Sequence, residues 1–413
     1  MLMSGKGSRE ALINPARRPT GPLPAESDSG TAGAPRARLR FLSPSSKRRI
    51  RPVDGPALVS ASQAPRDIRG ISALRKGIER RNWFAIALLV VVCVSIALLA
   101  LANGASDMSV VDSARALLGF GSSQDVMTVR SIRLPRVVCA IVSGAGLALA
   151  GAVLQSVLEN PLASASTVGI SQGAAFGATV AILVIIPAYA GPSTNVGMGT
   201  IALFAFAGAM VSSLIVLLFS RMGFSSPESI ILVGVALSAL WAGASTIIQY
   251  FSDDLELTKV IFWQFGDLGR ATGAQIGAMS VIGVACAVYF FANRWNYNAL
   301  QNGRRVAGGL GVDVGRTRVL GVVVSSLMAA AMVSFVGLIS FIGLIAPHIA
   351  RRLVGDDYRF LLPASLVLGS SIMLASDLVA RMVISPIILP IGAITSFLGA
   401  PLFLYLLYRG YKR

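Results

Sequence analysis

Few side chains in this sequence of 413 residues could perform acid–base or metal chemistry inside its long apolar segments. There is one histidine, His348, and the three cysteines follow no metal-binding spacing. Asp377 is the only carboxylate that the pattern places well inside an apolar segment. Ion-coupled carriers usually keep ionisable groups at mid-membrane, so Asp377 could couple ions. The alternative is an ion pair with Arg381, one helical turn further on.

Catalysis by the chain itself has little support. A catalytic zinc site needs several converging ligands, and a single histidine in this context yields no Ser-His-Asp set. The phosphate-binding pattern G-x-x-x-x-G-K-[ST] does not occur in the sequence. We therefore predict that the chain is no enzyme and binds no metal or cofactor of its own. His348 is interpreted as a hydrogen-bonded structural histidine.

The composition indicates an integral membrane protein. Apolar residues make up 54% and charged residues 13%, against roughly 25% charged residues in globular chains. Apolar segments of spanning length, about 20 residues each, repeat from Trp83 onward. They predict an all-α protein with about ten transmembrane helices, at 83–103, 134–157, 167–190, 199–219, 230–250, 273–292, 320–339, 341–354, 364–382 and 390–408.

The first 81 residues differ from the rest. They are basic, rich in Pro, Ser and Gly, and have no sustained apolar period, which predicts a disordered tail at 1–81 and a transmembrane domain at 82–413. Phe41 is the only aromatic residue of this tail, so base stacking on nucleic acid has little support. The positive-inside rule places both termini in the cytoplasm.

Small residues recur every four positions on two of the predicted helices. This spacing lets helix backbones approach closely in lipid, and it predicts tight packing rather than a ligand site. The two sets are Gly169, Gly173 and Gly177, and Ala140, Gly144, Ala148 and Ala152.

Several motifs occur in a characteristic order: Arg133-Leu134-Pro135-Arg136, Asn160-Pro161-Leu162-Ala163, Gly169-Ile170-Ser171, Phe262-Trp263-Gln264-Phe265-Gly266, residues 341–351 and Gly399-Ala400-Pro401-Leu402-Phe403. Together they resemble the permeases of bacterial ABC importers for iron complexes and cobalamin. The resemblance covers residues 83–413.

The resemblance implies a type II ABC importer permease fold and a multi-pass location in the bacterial inner or plasma membrane. The transported molecule would be an iron complex (siderophore or haem) or cobalamin. The implied partners are a second copy of the chain, two cytoplasmic ABC ATPase subunits that use ATP and Mg, a periplasmic or lipid-anchored substrate-binding protein, and membrane lipid, with no nucleic acid.

The resemblance also implies three sets of site residues. The residues implied for docking of the binding protein are Arg133, Arg136 and Arg381. The alternative role for these arginines is lipid-phosphate anchoring or an internal ion pair. The cytoplasmic gate and pathway comprise Asn160, Leu162, Ser226 and Pro227, and a purely structural turn is the alternative there. The ATPase coupling loop comprises Gly303, Arg304, Arg305, Ala307, Leu310 and Gly311.

The sequence departs from the family pattern at two positions. Arg304 and Ile388 stand where acids are usual, which leaves open the details of the ATPase contact and of an outer polar contact. Two rival functions are a stand-alone secondary carrier using Asp377 and a membrane-embedded enzyme. The second would need a constellation of acids, His or Cys that we do not find in the sequence.

Overall fold

The computed structural model describes residues 68–103, 108–189, 197–222, 227–384 and 387–411. Residues 1–67 of the predicted tail and the predicted gate residue Ser226 lie outside these ranges. Within them the chain forms sixteen α-helices, with π-helical turns at Thr128–Arg133 and Ala181–Ile185.

The first eight helices include the first five predicted spans. They are α1 Ile68–Ala102, α2 Val110–Leu118, α3 Ser123–Met127, α4 Leu134–Val157, α5 Ile170–Val180, α6 Ile186–Tyr189, α7 Met198–Arg221 and α8 Pro227–Tyr250.

The second eight include the remaining spans and the short helices between them. They are α9 Asp254–Phe265, α10 Gly273–Ala292, α11 Arg294–Leu300, α12 Arg304–Gly309, α13 Val314–Val336, α14 Ile342–Val354, α15 Tyr358–Met382 and α16 Ile391–Tyr411.

The predicted all-α membrane architecture is confirmed. Among the described residues, eight helical segments are long and apolar enough to cross a bilayer. The other two predicted spans correspond to shorter apolar segments, the 13-residue α14 and Ile391–Tyr405 of α16. Residues 337–341 before α14 are irregular and partly or fully buried, as expected for non-helical backbone at membrane depth. They include the last three residues of the predicted seventh span, 320–339, because α13 ends at Val336.

Helix α4 lies at the centre of the bundle, between α13, α14 and α15. Its small residues allow this because a methyl group on Gly144 would overlap the backbone of Gly369 on α15, and one on Gly151 would overlap the backbone of Gly343 on α14. The predicted role of the small residues in packing is confirmed for α4. The same holds for Gly173 of α5, which lies against Gly208 of α7.

Replacement of Gly151 by alanine is expected to destabilise the bundle. The added methyl group has no room beside the Gly343 carbonyl, and overpacking costs about 1–3 kcal/mol. The control is Gly277→Ala on α10, where the methyl group meets open space and alanine favours the helix by about 1 kcal/mol. Thermal unfolding of the purified protein would show a lower midpoint for the first variant only. Equal midpoints would contradict this packing.

The first helix begins earlier than predicted, so the boundary at 81/82 is corrected. Residues 68–81, assigned to the disordered tail, are helical. Arg75 pairs with Glu79 at 3.2 Å, Glu79 also pairs with Arg359 at 3.3 Å, and the Asn82 side chain donates to the Val354 carbonyl at 2.8 Å. These polar contacts carry the helix beyond the apolar segment, and hydropathy does not detect them.

Deletion of residues 2–66 is expected to leave insertion and uptake near the wild-type level, because the anchoring contacts of α1 begin after that point. Deletion of residues 2–82 serves as the contrast, since it also removes Glu79 and Asn82. Uptake at matched expression would separate the two. Loss of most uptake in the shorter deletion would reject this expectation.

Candidate functional site

Two arginines satisfy the last carbonyl groups of α1 at the predicted outer end of the bundle. Arg133 donates to the carbonyls of Leu101 and Ala102, both at 2.7 Å, and Arg381 donates to those of Asn103 at 2.7 Å and Ala100 at 3.1 Å. A helix C-terminus leaves carbonyls without helical partners and carries partial negative charge. Arg133 and Arg381 therefore complete and neutralise the end of α1.

Asp377 lies between two arginines and is fully buried. Its carboxylate accepts a hydrogen bond from Arg136 Nε at 2.8 Å and lies 3.0 Å from Arg381 Nε. The predicted ion pair with Arg381 is confirmed. Arg136 is a second partner that the sequence did not indicate, and it also lies 3.5 Å from Asp267. Asp377 is thus engaged in charge neutralisation within the protein.

Arg133, Arg136, Arg381 and Asp377 form one outer arginine cluster. The three arginines predicted for docking are brought together, but their side chains are largely withdrawn from the surface; that of Arg136, the most accessible, is 12% exposed. Each makes contacts within the chain. This geometry favours the internal role that was the alternative to docking, and docking through these side chains stays a prediction.

At the other end of α4, residues 159–162 form a tight turn, called the gate turn below. Helix α4 ends at Val157 and the next helix begins at Ile170. The Asn160 side chain accepts a hydrogen bond from the Leu162 N–H at 2.8 Å, which satisfies a backbone group that Pro161 leaves outside any helix. Leu162 is 42% exposed. Pro227 is the first residue of α8.

The predicted coupling loop, from Gly303 to Gly311, folds around one short helix, α12, and the short helix α11 precedes it. Gly303 and Gly311 bracket α12 with positive φ angles of 90° and 84°, a backbone region that favours glycine. Ala307 is fully buried and fixes one side of α12 to the protein. The opposite side is exposed; it carries Arg304, Arg305, Val306 and Leu310. The helix therefore presents a mixed basic and apolar surface.

Helix α11, which precedes the coupling loop, is fixed by Asp357, just before α15. Its carboxylate accepts hydrogen bonds from Asn298 of α11 at 2.9 Å and from Arg359 at 2.7 Å. Burial acts to raise the pKa of Asp357, but these hydrogen bonds outweigh it and hold the pKa below its usual value. This contribution to stability is therefore present above the unfolded-state pKa and is lost as the pH falls through the lowered value.

The gate turn and the coupling loop are joined by a residue that sequence reasoning missed. Glu159 Oε1 lies 2.5 Å from Arg318 Nη2 of α13 and 3.7 Å from Arg304 Nε of α12. Its φ of 46° is unusual for a residue other than glycine. In the sequence, the only signal for this role was a carboxylate just before the Asn-Pro pair, and no sequence pattern indicates which arginines it contacts.

His348 does not make the predicted hydrogen bond through Nε2, for which the described residues provide no partner. Its ring packs edge-on to Phe403, with 6.2 Å between ring centroids. Among the described residues, no group of three or more His, Cys, Asp or Glu side chains could hold a metal ion.

The pattern of FecCD transport family sequences matches residues 88–409, nearly the whole helical bundle. The chain belongs to the FecCD transport family. The candidate ABC transporter permease protein of Methanocaldococcus jannaschii is 44% identical over 81% of this chain and 97% of its own length. The vitamin B12 import system permease of Klebsiella pneumoniae is 36% identical over 71% of this chain and 86% of its own length.

A solved structure agrees with this FecCD assignment. A candidate metal-chelate type ABC transporter in an inward-facing conformation has a TM-score of 0.70 to this chain, with 30% identity over 78% of this chain and 98% of the other. The predicted type II ABC importer permease fold is confirmed. Like its relatives, this FecCD chain is a transport subunit, the permease component of an ABC importer, and the predicted multi-pass location in the bacterial inner membrane is confirmed.

Proposed function

We propose that this FecCD chain is the membrane permease of an ATP-driven importer for an iron complex (siderophore or haem) or cobalamin. The observation that carries the proposal is the match over nearly the entire bundle to permeases of this kind. The hemin transport system permease of Yersinia pestis is 33% identical over 76% of this chain, and the Klebsiella relative is named for vitamin B12.

The transported molecule is most directly assigned through the binding protein that delivers it. We expect the cognate binding protein to bind one of a ferric siderophore, haem or cobalamin and to raise ATP hydrolysis by the assembled transporter when loaded. Titration of all three classes against that protein would identify the substrate. Binding of none of them would contradict the proposed substrate class.

The proposed assembly contains two copies of this chain, two cytoplasmic ATPase subunits that use ATP and Mg, and one external binding protein. The chain itself would bind no nucleotide. Support for the ATPase contact comes from α12, whose exposed basic and apolar surface is held in place by buried Ala307. Residues 301–303, which lead into α12, face the gate turn across a cleft, so a contact at α12 lies close to the proposed pathway.

The geometry does not favour the rival function of a secondary carrier. Asp377 is fully buried and paired with two arginines, and a coupling carboxylate must exchange its ion with water during each cycle. The gate role of Asn160, Leu162, Ser226 and Pro227 remains part of the proposal, supported by the exposed Leu162 at the turn.

Charge reversal of Arg133, Arg136 and Arg381 tests whether the outer arginine cluster docks the binding protein. If the cluster docks the binding protein, each reversed variant should bind that protein more weakly than the wild type. The affinity should also depend less on salt, because the attraction that salt screens, within about 8 Å at physiological ionic strength, has been removed. If all three arginines contact the binding protein, their contributions combine, so the triple variant is the most informative. The measurement is the affinity of the cognate binding protein for the reconstituted transporter.

The matched control is Lys259→Glu, an exposed cation outside the cluster. Unfolding midpoints of all variants are needed, because these arginines also complete α1. If affinity and salt dependence are unchanged in folded variants, the docking assignment is wrong and the role of the cluster is internal.

A further inference from the structure

Glu159 connects three parts of the inner end of the bundle through one carboxylate. It belongs to the gate turn by sequence, and its Oε1 lies 2.5 Å from Arg318 of α13 and 3.7 Å from Arg304 of α12. The gate turn, at 159 to 162, is far in the chain from α12 and α13, at 304 to 309 and 314 to 336. The carboxylate is the point at which they meet.

The two arginine contacts differ in their surroundings. The side chain of Arg318 is 9% exposed, whereas those of Arg304 and Glu159 are 48% and 35% exposed. A short, nearly buried pair holds the carboxylate against α13. An exposed pair adds little to stability, so the contact with Arg304 can break and form again without unfolding the protein.

The backbone of Glu159 adopts a left-handed conformation. The left-handed φ of Glu159 closes α4 in a Schellman motif, in which the Glu159 N–H donates to the Ser156 carbonyl and the Asn160 N–H donates to the Gln155 carbonyl, both at 3.1 Å. The carboxylate of this capping residue is the group that contacts Arg318 and Arg304. The side chain of the next residue, Asn160, accepts a hydrogen bond from the Leu162 N–H. A displacement of the Glu159 side chain therefore acts on the residue that caps α4 and begins the turn to Leu162, three residues further on.

Space for such a movement exists beside the turn. A cleft of about 600 Å³ separates Glu159, Asn160 and Pro161 from residues 301–303, which lead directly into α12. The Glu159–Arg304 pair bridges the segments on the two sides of this cleft.

We propose that Glu159 is the positioning residue that passes movement of α12 to the gate turn. The inference rests on the proposed function, in which α12 contacts the ATPase. When α12 moves, Arg304 changes the position of the Glu159 carboxylate relative to Arg318, and the turn that carries Asn160 and Leu162 follows. Loss of the carboxylate charge uncouples the gate from α12.

The test uses the full transporter, with ATPase and loaded binding protein, in proteoliposomes. ATP hydrolysis and uptake are measured together for Glu159→Gln, Arg304→Gln and the double variant. We expect uptake per ATP to fall by roughly 5- to 150-fold, the range of typical coupling between sites, while hydrolysis continues. Each single substitution breaks the same contact, the one between Glu159 and Arg304. Uptake per ATP in the double variant should therefore be little lower than in either single variant.

Glu79→Gln is the matched control. Glu79 has a similarly exposed side chain, 32%, and also pairs with an arginine of another helix, Arg359, but it lies outside the gate turn. Its uptake per ATP should equal that of the wild type. A general loss of folding would lower uptake and hydrolysis together and leave their ratio unchanged.

Two results would overturn the inference. One is an unchanged uptake per ATP in Glu159→Gln. The other is a fold-decrease in uptake per ATP in the double variant that equals the product of the decreases in the two single variants. Failure of the proposed function is a different outcome, because the wild-type assembly would then show no ATP-dependent uptake at all.

Discussion

Replacement of Asp377 by asparagine is expected to destabilise the protein by about 3–5 kcal/mol, the usual cost of removing one partner from a buried ion pair. The substitution keeps the size of the side chain but leaves Arg136 and Arg381 without their shared, fully buried carboxylate. The free energy of unfolding in detergent or lipid, and the yield of folded protein, would measure this loss.

Asp267→Asn is the control for this prediction. Asp267 lies 3.5 Å from Arg136, but its side chain is 45% exposed, so its removal should cost only about 0–1 kcal/mol. Equal stabilities of the two variants would contradict the structural role of Asp377. If Asp377→Asn kept its stability and yet lost uptake, the secondary-carrier function would regain support.

Charge reversal of both Arg304 and Arg305 is expected to uncouple transport from ATP hydrolysis while two copies of the chain remain assembled. Both side chains are on the exposed surface of α12, where the proposal places an acidic surface of the ATPase. Like charges brought together across an interface repel and suppress association. In the reconstituted transporter, stimulation of the ATPase by the loaded binding protein would be lost.

The control carries the same change in net charge at a different place. Lys76 and Arg80 are exposed residues of α1, on the same predicted inner side, and their reversal should leave stimulation intact. Unchanged stimulation in the Arg304 and Arg305 double variant would count against α12 as the ATPase contact. Loss in both double variants would show a general effect of charge instead.

The helices of this protein were predictable because hydropathy reads the cost of placing each segment in lipid, and that cost is a local property of the sequence. The small residues of α4 were equally informative, since their spacing depends on one helix alone. The early start of α1 was missed because its contacts, such as Asn82 with Val354, join residues far apart in the chain.

The candidate sites were predicted as residue sets but not as geometry. The spacing of Asp377 and Arg381 indicated their pair, while Arg136 is 241 residues from Asp377 in the chain and could not be inferred. The contacts of Arg133 with the end of α1 depend on how two helices pack. The contacts of the Glu159 carboxylate with Arg318 and Arg304 join it to two other helices, so no local pattern indicates them.

The most direct test of the proposed function is uptake by proteoliposomes that contain this chain with its cognate ATPase and binding protein. The account predicts accumulation of an iron complex or cobalamin only with ATP, Mg and loaded binding protein, and no dependence on an ion gradient. Accumulation driven by a proton or sodium gradient with this chain alone would contradict it.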